Sequence, residues 1–414
     1  MQNNKLSVRL FGQPIGILEL DNKGRLHFNY LSNATMSISL SLPSSEQAFD
    51  HKHCHRFFKS LLPQNDNILN SISKILEIEP NNTFDFLRLM GQDCVGALSF
   101  HLLCSEIEDK QTSPLKGEII SDKELAHRLG YLCEIPMLVN EEGRRALLPG
   151  LQSKVAVCLI DNQIAVPSKG CFSTHILKFP ARHAKDLIDN EYFCMRLASR
   201  LGLHVCAVEM RKIQKTNTLL IKRYDREICG NIVKHYHQED FCQALGVLPS
   251  RKLEVDGGPG FVHCFSLLQK ANIPAIDRNH FMRMIFFNYL IGNTQGHAKN
   301  ISLLYLSPRY FQLAPFYDIS SILDDASNMA MKIGDDFFMK AIKSRNWQIL
   351  CTQIGYSYPA FKQLAQEMLD VLLESAKIEH KLMEEEGKET DFVDELIKFL
   401  KKNIQQVEKM LNFR

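Results

Sequence analysis

The sequence predicts a bilobal α+β chain: a β-rich N-terminal subdomain, then a mixed strand-and-helix lobe, then a mostly helical C-terminal lobe. Three observations carry this. Residues 5–42 alternate apolar and polar side chains, with breaks at Gly-Gln-Pro and Asp-Asn-Lys-Gly, the pattern of short strands and turns. Two β-branched runs, a helix and a further strand then follow one another between residues 155 and 226, the order of a nucleotide-clasping lobe. Beyond residue 238 the apolar spacing turns mostly helical. A chain of 414 residues has room for two or three such parts, and the expected spans are 1–110, 111–226 and 227–414.

Each element has its own signal. Helical periodicity runs through HRFFKSLLPQNDNILNSISKILEI and returns at FDFLRLMGQDC. The polar stretch SEIEDKQTSPLKGE marks a connection near 105–118. A turn, PGLQSK (149–154), leads into the strands VAVCLI (155–160) and THILKF (174–179), the helix KDLIDNEYFCMRLASRLGL (185–203) and the strand NTLLIKRYDR (217–226). In the last part, RNHFMRMIFFNYLIG and YPAFKQLAQEMLDVLLESAKIEHKLM read as helices, with ISLLY and FQL as strand breaks. MEEEGKE (383–389) reads as a solvated connection between two helices.

Composition narrows the function. With 49 basic and 47 acidic residues there is no global field to attract nucleic acid or a membrane surface. The N-terminus lacks the basic region and apolar run of a signal peptide, and no segment reaches the roughly 18 apolar residues of a membrane span. Twelve cysteines are scattered singly, without a C-x-x-C pair and mostly in apolar runs, which fits buried, reduced thiols in the cytoplasm.

The chemistry concentrates in IGNTQGHAKNISLLY (291–305) and LAPFYDISS (313–321). Phosphoryl transfer needs a carboxylate near the acceptor hydroxyl, oxygen ligands for Mg²⁺ and a lysine for the phosphates. Asn300 follows Gln295 by five positions, the interval between Asp and Asn in the catalytic loop of protein kinases. Asp318 follows a short apolar strand, Lys178 lies on a strand, and Glu191 lies on the next helix, placed to pair with that lysine. Singly, an Asn after a turn is a cap and a strand Lys points to solvent; the ordered set is what points to a kinase.

The run EDFCQALGVLPSRKLEVDGGPG (239–260), the loop GNTQGHAKNISLL, LAPFYDIS, SISLSLP (37–43) and MGQDCVGALSF (90–100) together resemble the HipA family of bacterial toxin kinases over nearly the whole chain. The resemblance implies a protein-kinase-like core and ATP with Mg²⁺ as cofactors. It implies a serine/threonine kinase activity directed at an aminoacyl-tRNA synthetase, and a HipB-like helix-turn-helix antitoxin that carries the complex to operator DNA. The family loop D-x-H-x-K-N is kept here at His297, Lys299 and Asn300, with Gln295 in place of the catalytic aspartate. By the same resemblance Asn300 and Asp318 hold the metal, Lys178 holds the phosphates with Glu191 as its partner, and Ile221, Lys222, Arg223 and Tyr224 offer backbone to the adenine. PGLQSK matches a phosphate-side loop through Gly150, Gln152, Ser153 and Lys154, while Leu147 stands where many relatives carry a regulatory serine.

Glutamine can accept a hydrogen bond but cannot take a proton at neutral pH, so the loop is read as real and disabled at residue 295. The kinase-like surroundings favour an introduced replacement over a natural pseudokinase. Two alternatives remain: a non-catalytic module that clamps nucleotide and sequesters a partner, and a lipid or small-molecule kinase, whose core shares D-x-H-x-x-N followed by a strand and Asp. HKHCHRFF (51–58) reads as a helix start with solvated histidines, and DGGPG (256–260) as a structural turn without the Lys-Ser/Thr of a phosphate loop.

Overall fold

Strict alternation builds the first sheet. In β1 (Lys5–Leu10), Leu6, Val8 and Leu10 are buried while their neighbours are not. β2 (Gln13–Leu20), β3 (Leu26–Tyr30), β4 (Ala48–Phe49) and β5 (Leu98–Leu102) complete an antiparallel sheet in the order β4-β3-β2-β1-β5. Gly16 lets β2 and β3 close up, since a Cβ there would stand 2.4 Å from the Phe28 ring. The computed structural model describes residues 4–103, 111–132, 148–149, 154–180, 186–324, 326–388 and 390–413.

The sheet is covered by α1 (His51–Lys59), α2 (Asp66–Leu76) and α3 (Thr83–Met90), with Phe28, Phe58 and Phe100 meeting edge to face in the core. Where periodicity predicts one helical stretch over 55–78, there are two helices. Pro63 cannot donate to a helical ladder, and Asn65 caps the second helix by accepting from the Asn67 and Ile68 N–H groups.

β6 (Thr112–Pro114), β7 (Gly117–Ile119) and α4 (Asp122–Leu132) come next, then β8 (Lys154–Ile160), β9 (Gln163–Pro167) and β10 (His175–Lys178). With β11 (Val208–Ile213) and β12 (Thr216–Lys222) these make a six-stranded sheet, β11-β12-β10-β8-β9-β7. β13 (Arg226–Cys229), β14 (Ile232–His235) and β6 form a small sheet, and β15 (His237–Asp240), β16 (Ser302–Ser307) and β17 (Tyr310–Leu313) another. Contacts group Met1–His183, Glu209–Ser250 and Leu303–Phe311 into one unit, and Ala184–Val208, Arg251–Ser302 and Gln312–Arg414 into a second.

The first unit therefore spans the junctions near residues 110 and 226, and a buried ion cluster shows how. Asp93, from the loop before β5, accepts from Arg226 Nη2 at 3.1 Å and Ser173 Oγ at 2.8 Å. Asp225 is gripped by Arg223 Nη2 at 2.7 Å, Arg226 Nη1 at 2.9 Å and the Gly96 N–H at 2.7 Å. Two carboxylates and two guanidiniums are thus neutralised out of water, which is tolerable only because the partners are present.

The second unit is helical: α5 (Asp186–Arg200), α6 (Phe261–Leu268), α7 (Pro274–Ile291), α8 (Ser344–Ile354), α9 (Tyr358–Glu385) and α10 (Asp391–Leu411). α7 is apolar on several sides and buries Phe281, Met284, Phe286, Phe287 and Leu290, as a central helix must. Trp347 stacks on Phe361 with ring centroids 4.6 Å apart. Asn403 Nδ2 caps the end of α7 at the carbonyls of Tyr289 and Leu290. The expectation of helix with two strand breaks misses the hairpin β18 (Asn328–Ile333) and β19 (Asp336–Phe338), which turns at Gly334 with φ +68° and whose first strand, NMAMKI, is apolar and buried at consecutive positions instead of alternating. DGGPG is a turn, and the Gly387 region joins α9 to α10. Among the described residues no helix is long and apolar enough to cross a membrane, and the described cysteines are all buried except Cys229.

Candidate functional site

The loop around residue 295 begins where α7 stops. Gly292 adopts φ +69°, and its N–H returns to the carbonyls of Asn288 and Tyr289, closing the helix in the left-handed way that glycine permits. The chain then turns back across its own helix end. The Asn293 N–H donates to the Asn288 carbonyl at 2.8 Å, and the Gln295 N–H donates to Asn293 Oδ1 at 3.1 Å. The Gln295 carbonyl accepts from the His297 N–H at 2.7 Å and from Asn300 Nδ2 at 3.2 Å. Both polar ends of the residue 295 backbone are held, and its side chain is exposed.

Asn300 therefore uses its amide nitrogen to brace the loop, which turns its Oδ1, a hard oxygen, to other use. Asp318 lines the same small cleft as Asn293, Gly296 and Asn300, floored by Phe281 and Ile285. Its backbone sits at φ +60°, a left-handed conformation in which Asp is among the few tolerated side chains. Tyr317 fastens the two segments together: its hydroxyl donates to the Lys299 carbonyl at 3.1 Å and lies 2.7 Å from Ser302 Oγ. On the far side, Asn190 clasps the backbone of Ser321 through both amide atoms.

His297 is 4% exposed, and its Nδ1 has no hydrogen-bond partner. Burial, with the Lys252 charge adding to it, lowers its pKa to about 4 against the opposing pull of Asp318, so the ring is neutral. Lys299 is buried. Asp324 is an exposed turn residue that caps the Ala326 N–H and the Ser327 hydroxyl.

In the first unit, Lys154 and Lys178 are direct cross-strand partners on β8 and β10, so both side chains rise from one sheet face. Lys178 is buried. Ile221 pairs with Ile176, Lys222 is exposed, Tyr224 is half-buried and Arg223 spends its side chain in the ion cluster. Glu191 is buried on α5 of the second unit. Gly150, Gln152, Ser153 and Leu147 lie outside the described residues.

The donors fit the groups that the fold implies. Asn300 and Asp318 give one amide oxygen and one carboxylate on a single cleft, and among the described residues no three of His, Cys, Asp and Glu gather into a metal cage. A sparse oxygen set suits Mg²⁺, which completes its octahedron with water and substrate phosphate. Lys154 and Lys178 share one sheet face, and ammonium groups of that kind suit a polyanion. Sequence reasoning missed Asn288, Asn293, Gly296 and Tyr317. The GN pair before Thr294 was the one available hint, as a helix stop followed by a side chain able to hold a turn.

Similarity to known proteins identifies the family. The HipA N-terminal domain profile matches residues 6–101, and the HipA-like C-terminal domain profile matches 146–376. A Sinorhizobium fredii protein named "Putative kinase Y4mE" is 34% identical over 91% of this chain and 95% of its own length. The serine/threonine-protein kinase toxin HipA of Shewanella oneidensis is 31% identical over 73% of this chain and 71% of its own. The solved complex of the Shewanella oneidensis MR-1 HipA, HipB and operator DNA shares the fold with a TM-score of 0.83 at 24% identity, covering 98% of this chain and 99% of that one. From the N-terminal sheet to the helices of the second unit, this chain belongs to the HipA family.

Proposed function

We propose that the chain is a HipA-type serine/threonine protein kinase toxin whose transfer step is impaired by Gln295. The observation that carries this is the held backbone of residue 295, whose exposed side chain sits in a loop beside Asn300 and Asp318. The loop is built to present a side chain there, and a carboxylate would orient the acceptor hydroxyl and receive its proton. Asn300 and Asp318 hold Mg²⁺ with ATP, which supplies the phosphoryl group. Lys154 and Lys178 take the phosphates with Gly150, Gln152 and Ser153. The backbone of Ile221 to Tyr224 borders the adenine. His297 orients the loop and Lys299 steadies it. The relatives' names support the wider setting of a toxin that assembles with a HipB-like antitoxin and operator DNA; the helix-turn-helix character of that antitoxin, an aminoacyl-tRNA synthetase as substrate and a cytoplasmic setting extend the same proposal.

Gln295→Asp tests the reading. The restored carboxylate should raise transfer by roughly 10²–10⁴, read as radiolabel from ATP on a lysate protein, and should arrest bacterial growth unless the antitoxin is co-expressed. Calorimetry should find ATP binding with Mg²⁺ both before and after the substitution. A Gln295→Asp protein that binds ATP with Mg²⁺ but labels nothing would replace the kinase by a nucleotide-binding module.

A further inference from the structure

We propose that Asn293, braced by Asn288, is the positioning residue that sets where the side chain of residue 295 points. The proposal rests on the phosphotransfer reading of this loop and adds residues that the motif D-x-H-x-K-N does not contain.

The geometry forms a relay from the rigid end of α7 into the loop. Asn288 lies in the last turn of α7, and its backbone carbonyl already receives the Asn293 N–H at 2.8 Å. Its side-chain Oδ1 receives Asn293 Nδ2 at 3.0 Å. That contact consumes the donor side of the Asn293 amide and aims its Oδ1 at the Gln295 N–H, 3.1 Å away. Asn293 is 2% exposed, so a lost partner here is not replaced by bulk water.

Gly296 completes the device. A Cβ at this position would stand 2.8 Å from Asn288 Nδ2, so the loop lies directly on the relay and any side chain there would have to displace the Asn288 amide. On the other side of residue 295, its carbonyl is fixed by the His297 N–H and Asn300 Nδ2. With the N–H held by Asn293 and the carbonyl by the metal-side asparagine, rotation of the backbone at 295 is blocked in both directions. None of these bonds uses the 295 side chain, so the relay serves Asp and Gln alike. Remove Asn293 and only the carbonyl side remains, which leaves the peptide free to swing.

Two measurements test this, one of which needs no catalysis. In the chain as it stands, Asn293→Ala should speed hydrogen exchange of the peptide carrying the 295 amide by about tenfold, with exchange in α7 unchanged. In the Gln295→Asp background, Asn293→Ala should lower kcat by about tenfold or more, because small misplacements of a reacting group are costly, while KM for ATP and the calorimetric affinity for ATP with Mg²⁺ stay within about twofold. Asn288→Ala should give the same kcat loss, the double variant should lose no more than either single one, and Asn288→Asp, which keeps the acceptor for Asn293 Nδ2, should recover most of the rate. Unchanged exchange at 295 in a folded Asn293→Ala protein overturns the relay. So does a kcat loss matched by an equal loss of ATP affinity, which would make Asn293 a nucleotide-site residue. Additive losses at Asn288 and Asn293 would likewise overturn it. If Gln295→Asp transfers no phosphate at all, the kinase reading fails, and the exchange measurement still decides the relay.

Discussion

Asp318 is held at φ +60°, where most L side chains carry about 1–2 kcal/mol of strain and Asn or Asp carries less. Ala there would mix backbone strain with loss of the carboxylate, so Asp318→Asn is the cleaner probe of charge. It keeps the shape and the left-handed tolerance and removes only the formal charge that a divalent cation needs. Asp318→Asn is expected to abolish the Mg²⁺ dependence of ATP binding, whereas Asp324→Ala, which cuts a solvated turn cap, should leave it intact. Calorimetric titrations with and without Mg²⁺ separate the two, and equal losses would put the metal elsewhere. Asp325, expected from sequence to be a solvated acid like Asp324, lies outside the described residues. His297 adds a pH effect of known sign. Its folded pKa of about 4 lies below the usual 6.5, so its contribution to stability is full above pH 6.5 and disappears as pH falls through 4.

At the scale of elements, the segment 37–43 and the start of the segment 239–260 turn out to be two halves of one joint. Glu239, at the end of β15, accepts from Ser39 Oγ at 2.5 Å, the Leu40 N–H at 3.1 Å and Tyr305 Oη of β16 at 2.5 Å, while Ser41 Oγ donates to the Gln243 carbonyl at 2.6 Å. Burial raises the Glu239 pKa to about 7, outweighing these donors, with adjacent Asp240 adding to the rise. A folded pKa above the usual 4.5 means stability that is full below pH 4.5 and lost as pH rises through 7. Thermal melts from pH 4.5 to 8 should therefore fall more steeply for the native chain than for Glu239→Gln. Equal slopes would show that the carboxyl does not titrate there. Such a joint explains what was legible and what was not. The strand under Lys178, the helix under Glu191 and the five-residue interval from Gln295 to Asn300 are local patterns, and periodicity finds them. Ser39 to Glu239 crosses 200 positions, and the Asn293 relay depends on a backbone reversal at Gly292, so neither leaves a periodic trace. β11 was missed because its run VEMRKI carries adjacent charges at Arg211 and Lys212, and β18 because NMAMKI is apolar at consecutive positions, so neither alternates cleanly.

For the molecule as a whole, the ion cluster decides whether the N-terminal sheet is an appendage or part of the unit that carries Lys154 and Lys178. The two carboxylates, Asp93 and Asp225, balance the two guanidiniums, Arg223 and Arg226, and all four side chains are almost fully buried. Asp93→Ala removes one negative charge and leaves an uncompensated guanidinium beside Phe172 and Cys94, where water cannot reach it. Breaking a buried pair in this way costs about 3–5 kcal/mol, which denaturant unfolding would read as a lowered midpoint. The location of the damage is the sharper test. Arg226 opens β13, and the Arg223 N–H extends the pairing of β12 by donating to the Thr174 carbonyl at 3.1 Å, so the stranded charge sits in the 209–250 part of the unit as much as in the first hundred residues. Hydrogen exchange in Asp93→Ala should rise together in 6–101 and in 209–250. If it rises in 6–101 alone, the boundary near residue 110 divides two independently stable bodies, and the cluster only decorates their contact.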